Sequence, residues 1–407
     1  MALIVQKYGG TSVGDREKIL NVAHKVARVK DAGNDIVVVL SAMAGETDRL
    51  IHLAEAATDN HPDDREYDSL ISTGEQVTIS LLAMILKKIG YPAKSFLGSQ
   101  IRILTDGNHK NARIHKIETD IIHRELKEGK IIIVAGFQGI DDKGDITTLG
   151  RGGSDTSAVA IAAALKADYC EIFTDVDGVY TTDPNIYEKA RKLKKITYEE
   201  MMELASAGAK VLQHRSVELG KLYNVPIYVR SSFNDGSGTL VTKENGDMEK
   251  ELVSGVTCDK DQAKITISHV PDQPGVAEKI FTPISDRNII VDMIIQNASV
   301  EGYADLTFTV SRKDVDEVRN ILDAVAKDIE AGNIDCDEKI SKVSVIGLGM
   351  KSHSGVASRM FSALANEGIN IMMISTSEIK ISCVIKRKYT ELAVRVLHDA
   401  FELDKEK

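Results

Sequence analysis

The sequence predicts an α/β protein, with helices on both faces of a sheet, followed by two smaller ferredoxin-like βαββαβ units. Three observations predict it. Val/Ile-rich runs alternate with helical patterns up to about residue 245. Polar turn clusters, Asn234-Asp-Gly-Ser-Gly and Lys243-Glu-Asn-Gly-Asp, then end the alternation. Beyond them Gly275-Val-Ala returns as Gly355-Val-Ala, and the offset of 80 holds through Ile280-Phe and Met360-Phe to Met293-Ile and Met373-Ile. The expected partition is residues 1–245 for the larger domain, 246–340 for a linker and the first repeat, and 341–407 for the second.

Taken in order, Ala2–Val5, Ile36–Leu40, Ile131–Ala135, Cys170–Phe173 and Ile227–Val229 are continuous apolar runs, the pattern of parallel strands buried on both faces. Helical spacing predicts helices over Asp15–Lys30, Asp48–Ala57, Tyr67–Ile89, Ile114–Leu126, Asp155–Leu165 and Ala207–Tyr223. In such sheets ligands sit beyond the carboxyl ends of the strands, so the loops that follow strands are where chemistry is sought.

Composition narrows the function classes. The chain has 51 Lys+Arg against 61 Asp+Glu, a net charge of −10, with no long basic run, which disfavours nucleic acid as a main partner. No apolar run approaches the ~20 residues that span a bilayer, and the N-terminus has no basic-then-apolar leader. The expectation is a cytoplasmic protein without a membrane partner. Cys170, Cys258, Cys336 and Cys383 are far apart with no Cys-x-x-Cys, which fits reduced thiols. The histidines show no paired ligand spacing, so no dedicated metal site is expected.

Three glycine-bearing loops carry the chemistry. Lys7-Tyr-Gly-Gly-Thr-Ser-Val-Gly follows the first strand. Gly9 and Gly10 let the backbone approach an anion, and Lys7 adds a point charge, which is what a transferring phosphoryl group needs. A tight turn with a solvated lysine is the plainer alternative. Gly150-Arg-Gly-Gly-Ser-Asp-Thr precedes an Ala-rich helix. Ser154 and Asp155 are helix-cap types there, and Arg151 offers a two-pronged fork for a carboxylate or phosphate. Thr174-Asp-Val-Asp-Gly-Val-Tyr-Thr-Thr-Asp-Pro places Asp175, Asp177 and Asp183 near the same sheet edge, as a polar turn or as a nucleotide subsite with Tyr180 against a base. Neither G-x-x-x-x-G-K-[ST] nor G-x-G-x-x-G is present, which argues against a P-loop protein or a dehydrogenase.

Together these loops resemble the signatures of the aspartate kinases, members of the amino acid kinase superfamily. Ser41-Ala-Met, Ser72-Thr-Gly-Glu and Gly208-Ala-Lys-Val-Leu fit the same pattern in the same order, and the C-terminal repeats resemble tandem ACT domains. The resemblance implies an amino acid kinase-type three-layer α/β/α sandwich followed by two ACT domains. It implies transfer of the ATP γ-phosphate to the β-carboxylate of L-aspartate, giving 4-phospho-L-aspartate, the first step toward lysine, threonine and methionine. Mg2+ would arrive with the nucleotide.

The resemblance also assigns roles. Lys7 would neutralise the transferring phosphoryl group, with Asp155 orienting it. Gly9, Gly10 and Ser41 would meet the phosphates. Thr47 and Glu75 would hold aspartate, Glu75 pairing with its ammonium, while Arg151 grips a carboxylate beside Gly152, Gly153 and Ser154. Thr174, Asp175, Tyr180, Asp183, Pro184, Lys210 and Val211 would form the nucleotide side. The acceptor is already ionised near pH 7, so no strong general base is required, and cations and amides bring the two anions together.

In the repeats, Asp272-Gln-Pro-Gly-Val-Ala puts Pro and Gly before a helix whose amides suit a free amino acid's carboxylate, with Asp272 balancing its ammonium. Gly275, Val276, Ala277, Gln296 and Asn297 would complete that site, and Asn370 and Ile371 are the counterparts in the second repeat. Two packing modules that only hold a dimer are the alternative. The resemblance implies inhibition by lysine, threonine or both, and a homo-oligomer assembled through the ACT pair. Rival readings are another amino acid kinase and a catalytically silent amino-acid sensor.

Overall fold

The computed structural model describes residues 1–209, 211–244, 252–297 and 302–405. They fall into two compact units. One comprises Met1–Val179, Lys192–Ser206 and the described residues of 211–244, and the other Tyr180–Arg191, Ala207–Ala209 and the described residues from 252 onward.

The first unit is built on an eight-stranded sheet. Its order is Lys195–Thr197, Thr239–Thr242, Ile227–Ser231, Tyr169–Thr174, Leu3–Tyr8, Asp35–Leu40, Ile131–Ala135, Ala93–Phe96. Neighbours run parallel except where Thr239–Thr242 meets Ile227–Ser231. The five apolar runs are its central strands, because a strand covered on both faces needs apolar side chains at every position. Alternate residues Tyr8, Val38, Leu40, Ile131 and Ile133 join Ile19, Val22, Leu82 and Leu86 of helices Arg16–Asp31 and Thr73–Lys88 in one core. Lys7, one residue out of phase, points to the other face, toward helix Gly153–Leu165. Gly153 to Ala162 of that helix are all buried, so its Ala/Gly/Ser composition is that of an element covered all round.

Several boundaries differ from expectation. The first strand runs on to Tyr8, so Lys7 is a strand residue rather than part of the following loop. The single helix expected over Tyr67–Ile89 is two, Asp64–Ile71 and Thr73–Lys88, meeting at Ser72. The span Asp64–Lys88 is long and apolar enough to cross a bilayer by length and composition, but its Ile79, Leu82 and Leu86 lie in the core beneath the sheet. Ile114–Leu126 divides into strand Ile114–Ile117 and helix Asp120–Lys127. The helix expected over Ala207–Tyr223 starts at His214, and a separate helix, Tyr198–Ser206, precedes it. A second, four-stranded sheet, Ile114–Ile117, Ile103–Thr105, Gln138–Ile140 and Ile146–Thr148, was not legible, since strands of three or four residues carry no periodicity.

The second unit holds two four-stranded antiparallel sheets. Gly275 (φ 90°) and Gly355 (φ 96°) both cap the helix that follows in the left-handed region, so the repeat seen in sequence is a repeat of backbone conformation. Met293 and Met373, equivalent across the 80-residue offset, meet in one cluster with Ile340 and Val384. The pairing corrects the expected partition at 340/341. Gly255–Asp259, placed before the first repeat, hydrogen-bonds Ile340–Ile346 and fills in the second sheet the edge that Ile334–Asp337 fills in the first. The first ACT-like unit is therefore inserted between the two parts of the second.

Candidate active site

Strand Leu3–Tyr8 has Asp35–Leu40 on one side and Tyr169–Thr174 on the other, so the chain order reverses there and a crevice opens at the strands' carboxyl ends. A cavity of about 470 Å³ lies at this end of the first unit. Lys7, Ser41, Thr47, Glu75, Arg151 and Asp155 all line it, with Gly152, Gly153 and Ser154. These residues come from five separate stretches of sequence, which the topology gathers.

Lys7 Nζ lies 2.6 Å from Asp155 Oδ1, and the two side chains are only 12% and 10% exposed. Asp155 stands in the first turn of its helix rather than at the cap, which is Gly152 at φ 75°. Its Oδ2 accepts from Gln213 N at 3.4 Å. Gly10 has a packing reason to be glycine, since a Cβ there would meet Ala42 O at 2.9 Å. The Gly9 amide donates to Phe173 O at 3.3 Å.

Glu75 is 2% exposed. Its Oε1 accepts from Ala42 N at 3.0 Å, while Oε2, equally buried, has no partner among the described residues. Burial holds this carboxyl up at about 8, with the Ala42 amide pulling the other way. Arg151 is exposed and has no hydrogen-bond or ion-pair partner among the described residues. The site therefore presents a paired lysine, an uncommitted guanidinium and a half-satisfied buried carboxyl facing one space.

Comparisons with known proteins place the chain in a family. Residues 2–231 match the amino acid kinase family, and residues 265–329 and 343–401 each match the ACT domain. An aspartate kinase of Pseudomonas fluorescens is 60% identical over 99% of this chain and 98% of its own. The chain belongs to the aspartate kinase family. Among solved structures, E. coli aspartokinase III in complex with aspartate and ADP (R-state) superposes with a TM-score of 0.83 at 26% identity, covering 98% of this chain and 99% of that one. The same enzyme in complex with lysine and aspartate (T-state) gives 0.78 at the same identity and coverage.

The residues expected on the nucleotide side of an aspartate kinase are divided between the two units. Thr174 ends its strand and donates to Asp175 Oδ1 at 3.0 Å. Tyr180, Asp183 and Pro184 belong to Tyr180–Arg191, a segment of the second unit. There Thr181 Oγ1 lies 2.9 Å from His398 Nε2, and Tyr187 OH donates to Asp399 Oδ1 at 2.6 Å. Asp183 is exposed and closes its own turn, accepting from Asn185 N at 2.8 Å. Val211 is half-buried, and Lys210 lies outside the described residues. Sequence reasoning missed Asp48, Tyr67, Lys110, Phe137 and Thr148, which also line the aspartate kinase cavity. Phe137 follows strand Ile131–Ala135, so the rule of searching loops after strands points to it. Lys110 and Thr148 carry no comparable signal.

In the second unit a cavity of about 330 Å³ is lined by Asp272, Gly275, Val276, Ala277 and Gln296. Asn297 does not line it and gives its amide to Asp305 O at 3.3 Å. Asn370 is exposed, and Ile371 packs against the core of the second repeat.

Proposed function

We propose that this chain transfers the γ-phosphate of ATP to the β-carboxylate of L-aspartate, giving 4-phospho-L-aspartate and ADP. The observation that carries this reading is that one cavity is lined by Lys7 held on Asp155, by unpaired Arg151 and by buried Glu75 with its orphan oxygen, so two of its charged groups await partners. A dicarboxylic amino acid answers these two, its ammonium against Glu75 and its α-carboxylate in the Arg151 fork. Its β-carboxylate oxygen then attacks the γ-phosphorus, the bond to the β–γ bridging oxygen breaks, and ADP leaves with that electron pair. Lys7, aimed by Asp155, offsets charge on the phosphoryl oxygens.

Among the described residues no three His, Cys, Asp or Glu side chains cluster as a metal cage. Mg2+ would arrive held chiefly by nucleotide phosphates and water, where it would spread phosphate charge. The chain is further read as a cytoplasmic homo-oligomer that opens the route to lysine, threonine and methionine. A coupled ADP-release assay tests the central reading. Aspartate is expected to support turnover, and glutamate is not. Turnover with glutamate alone would replace it with another amino acid kinase, and none with either would leave a silent sensor.

Arg151→Ala is expected to raise KM for aspartate roughly 10–100-fold, the loss of a charged hydrogen-bonded contact. Because Arg151 is exposed and unpaired, its stability change is expected within about 0.5 kcal/mol. Differential scanning fluorimetry beside initial-rate kinetics checks both halves. The ACT-like cavity is read as a site for lysine or threonine, the ammonium by Asp272 and the carboxylate at the helix start after Gly275. Asp272→Ala is expected to abolish inhibition and calorimetric binding of the effector while leaving uninhibited turnover intact.

A further inference from the structure

Asp68 is fully buried on helix Asp64–Ile71, and nothing in the chemistry above uses it. Its two oxygens are the hub of two distant chain segments. They accept from Lys110 N at 3.1 and 3.0 Å, from Thr148 N at 2.9 Å, from Thr148 Oγ1 at 2.6 Å and from His109 Nδ1 at 3.0 Å. Lys110 and Thr148 both line the acceptor cavity, and Arg151 follows Thr148 by three residues.

The backbone shows what the hub holds in place. Lys110 sits at φ 65°, a left-handed conformation that costs a non-glycine residue roughly 1–2 kcal/mol. The two segments then press together: a Cβ on Gly150 would lie 3.0 Å from Lys110 O. Arg215 ties the far side, Nη1 donating to Leu149 O at 2.8 Å and Nη2 to Ala112 O at 2.8 Å. An apolar residue at position 68 would fill the space with a smaller desolvation cost, but it would hold neither backbone amide. A carboxylate here is a device for fixing the Lys110 turn against the start of the Arg151 loop.

We propose that Asp68 is a positioning residue for the amino-acid acceptor, locking the Lys110 turn to Thr148 and so fixing where Arg151 presents its guanidinium. The proposal deepens the aspartate-phosphorylating reading and rests on it.

Asp68→Asn keeps the shape but turns an amide N–H toward donors. KM for aspartate is expected to rise about tenfold or more while KM for ATP stays within about twofold, since a misplaced positioning group costs binding at the group it serves. A merely structural role would lower the active fraction and kcat and leave both KM values alone. That outcome, with normal wild-type turnover of aspartate, overturns the role of Asp68 and spares the broader reading. Absence of wild-type turnover with aspartate overturns both. In an Arg151→Ala background Asp68→Asn is expected to add less than about twofold to KM, because residues acting through one another are not additive, and full additivity sinks the proposal. Should Asp68→Asn fail to fold, His109→Ala removes one donor without touching the cavity lining. A several-fold rise in KM for aspartate alone is then expected, and an unchanged value overturns the proposal.

Discussion

Lys7→Met is expected to lower kcat by about 10²–10³-fold, the usual cost of losing one group aimed at charge that develops in a transition state. The same change is expected to weaken the fold. Lys7 and Asp155 are both nearly buried and 2.6 Å apart, so removing the lysine leaves a carboxylate with no counter-charge, a loss of roughly 3–5 kcal/mol for a buried pair. A drop in activity alone would therefore not separate chemistry from stability. The double variant Lys7→Met/Asp155→Asn does so. It removes the stranded charge and is expected to recover most of the lost melting temperature while turnover stays near the single variant's level. Recovery of turnover together with stability would mean that Lys7 serves only to neutralise Asp155.

How far the sequence revealed this site follows from how each residue is placed. Lys7, Arg151 and Asp155 were legible because each lies in a short run whose neighbours share its purpose, a strand end or the loop before a helix. Asp68 was not. In sequence it is one acid on an amphipathic helix, where a solvated position is the ordinary expectation, and its burial is set by segments 42 and 80 residues away. The large sheet was readable because its central strands are continuous Val/Ile runs. The short sheet behind Thr148 was not, and neither was the destination of Gly255–Asp259, whose partner strand begins at Ile340, beyond the entire first repeat. Local pattern reports which face an element buries. It does not report against which distant strand, and both the cavity wall and the interleaving of the repeats depend on that second fact.

Glu75→Gln is expected to move stability and substrate binding in opposite directions. The folded carboxyl sits at about 8, against an ordinary value of 4.5. Between those limits the folded state holds a proton that the unfolded state gives up, so ligand-free stability is greatest at low pH and declines as pH rises from about 4.5 toward about 8. Glutamine cannot ionise, and the variant is expected to lose that decline and to melt above the wild type at pH 8. Binding shows the converse. An ammonium ion brought against the orphan oxygen favours the ionised carboxyl, so aspartate must displace the Glu75 proton below about pH 8. KM for aspartate is then expected to fall about tenfold per pH unit between pH 6 and 7.5, one proton being released per substrate bound. Glu75→Gln is expected to flatten that slope and to raise KM roughly 10–100-fold at pH 8, where the wild-type charge is available. Calorimetry in two buffers of different ionisation enthalpy counts the released proton directly. If the wild type releases none at pH 7, Glu75 does not receive the ammonium, and the half-satisfied carboxyl is a feature of the fold instead of the site.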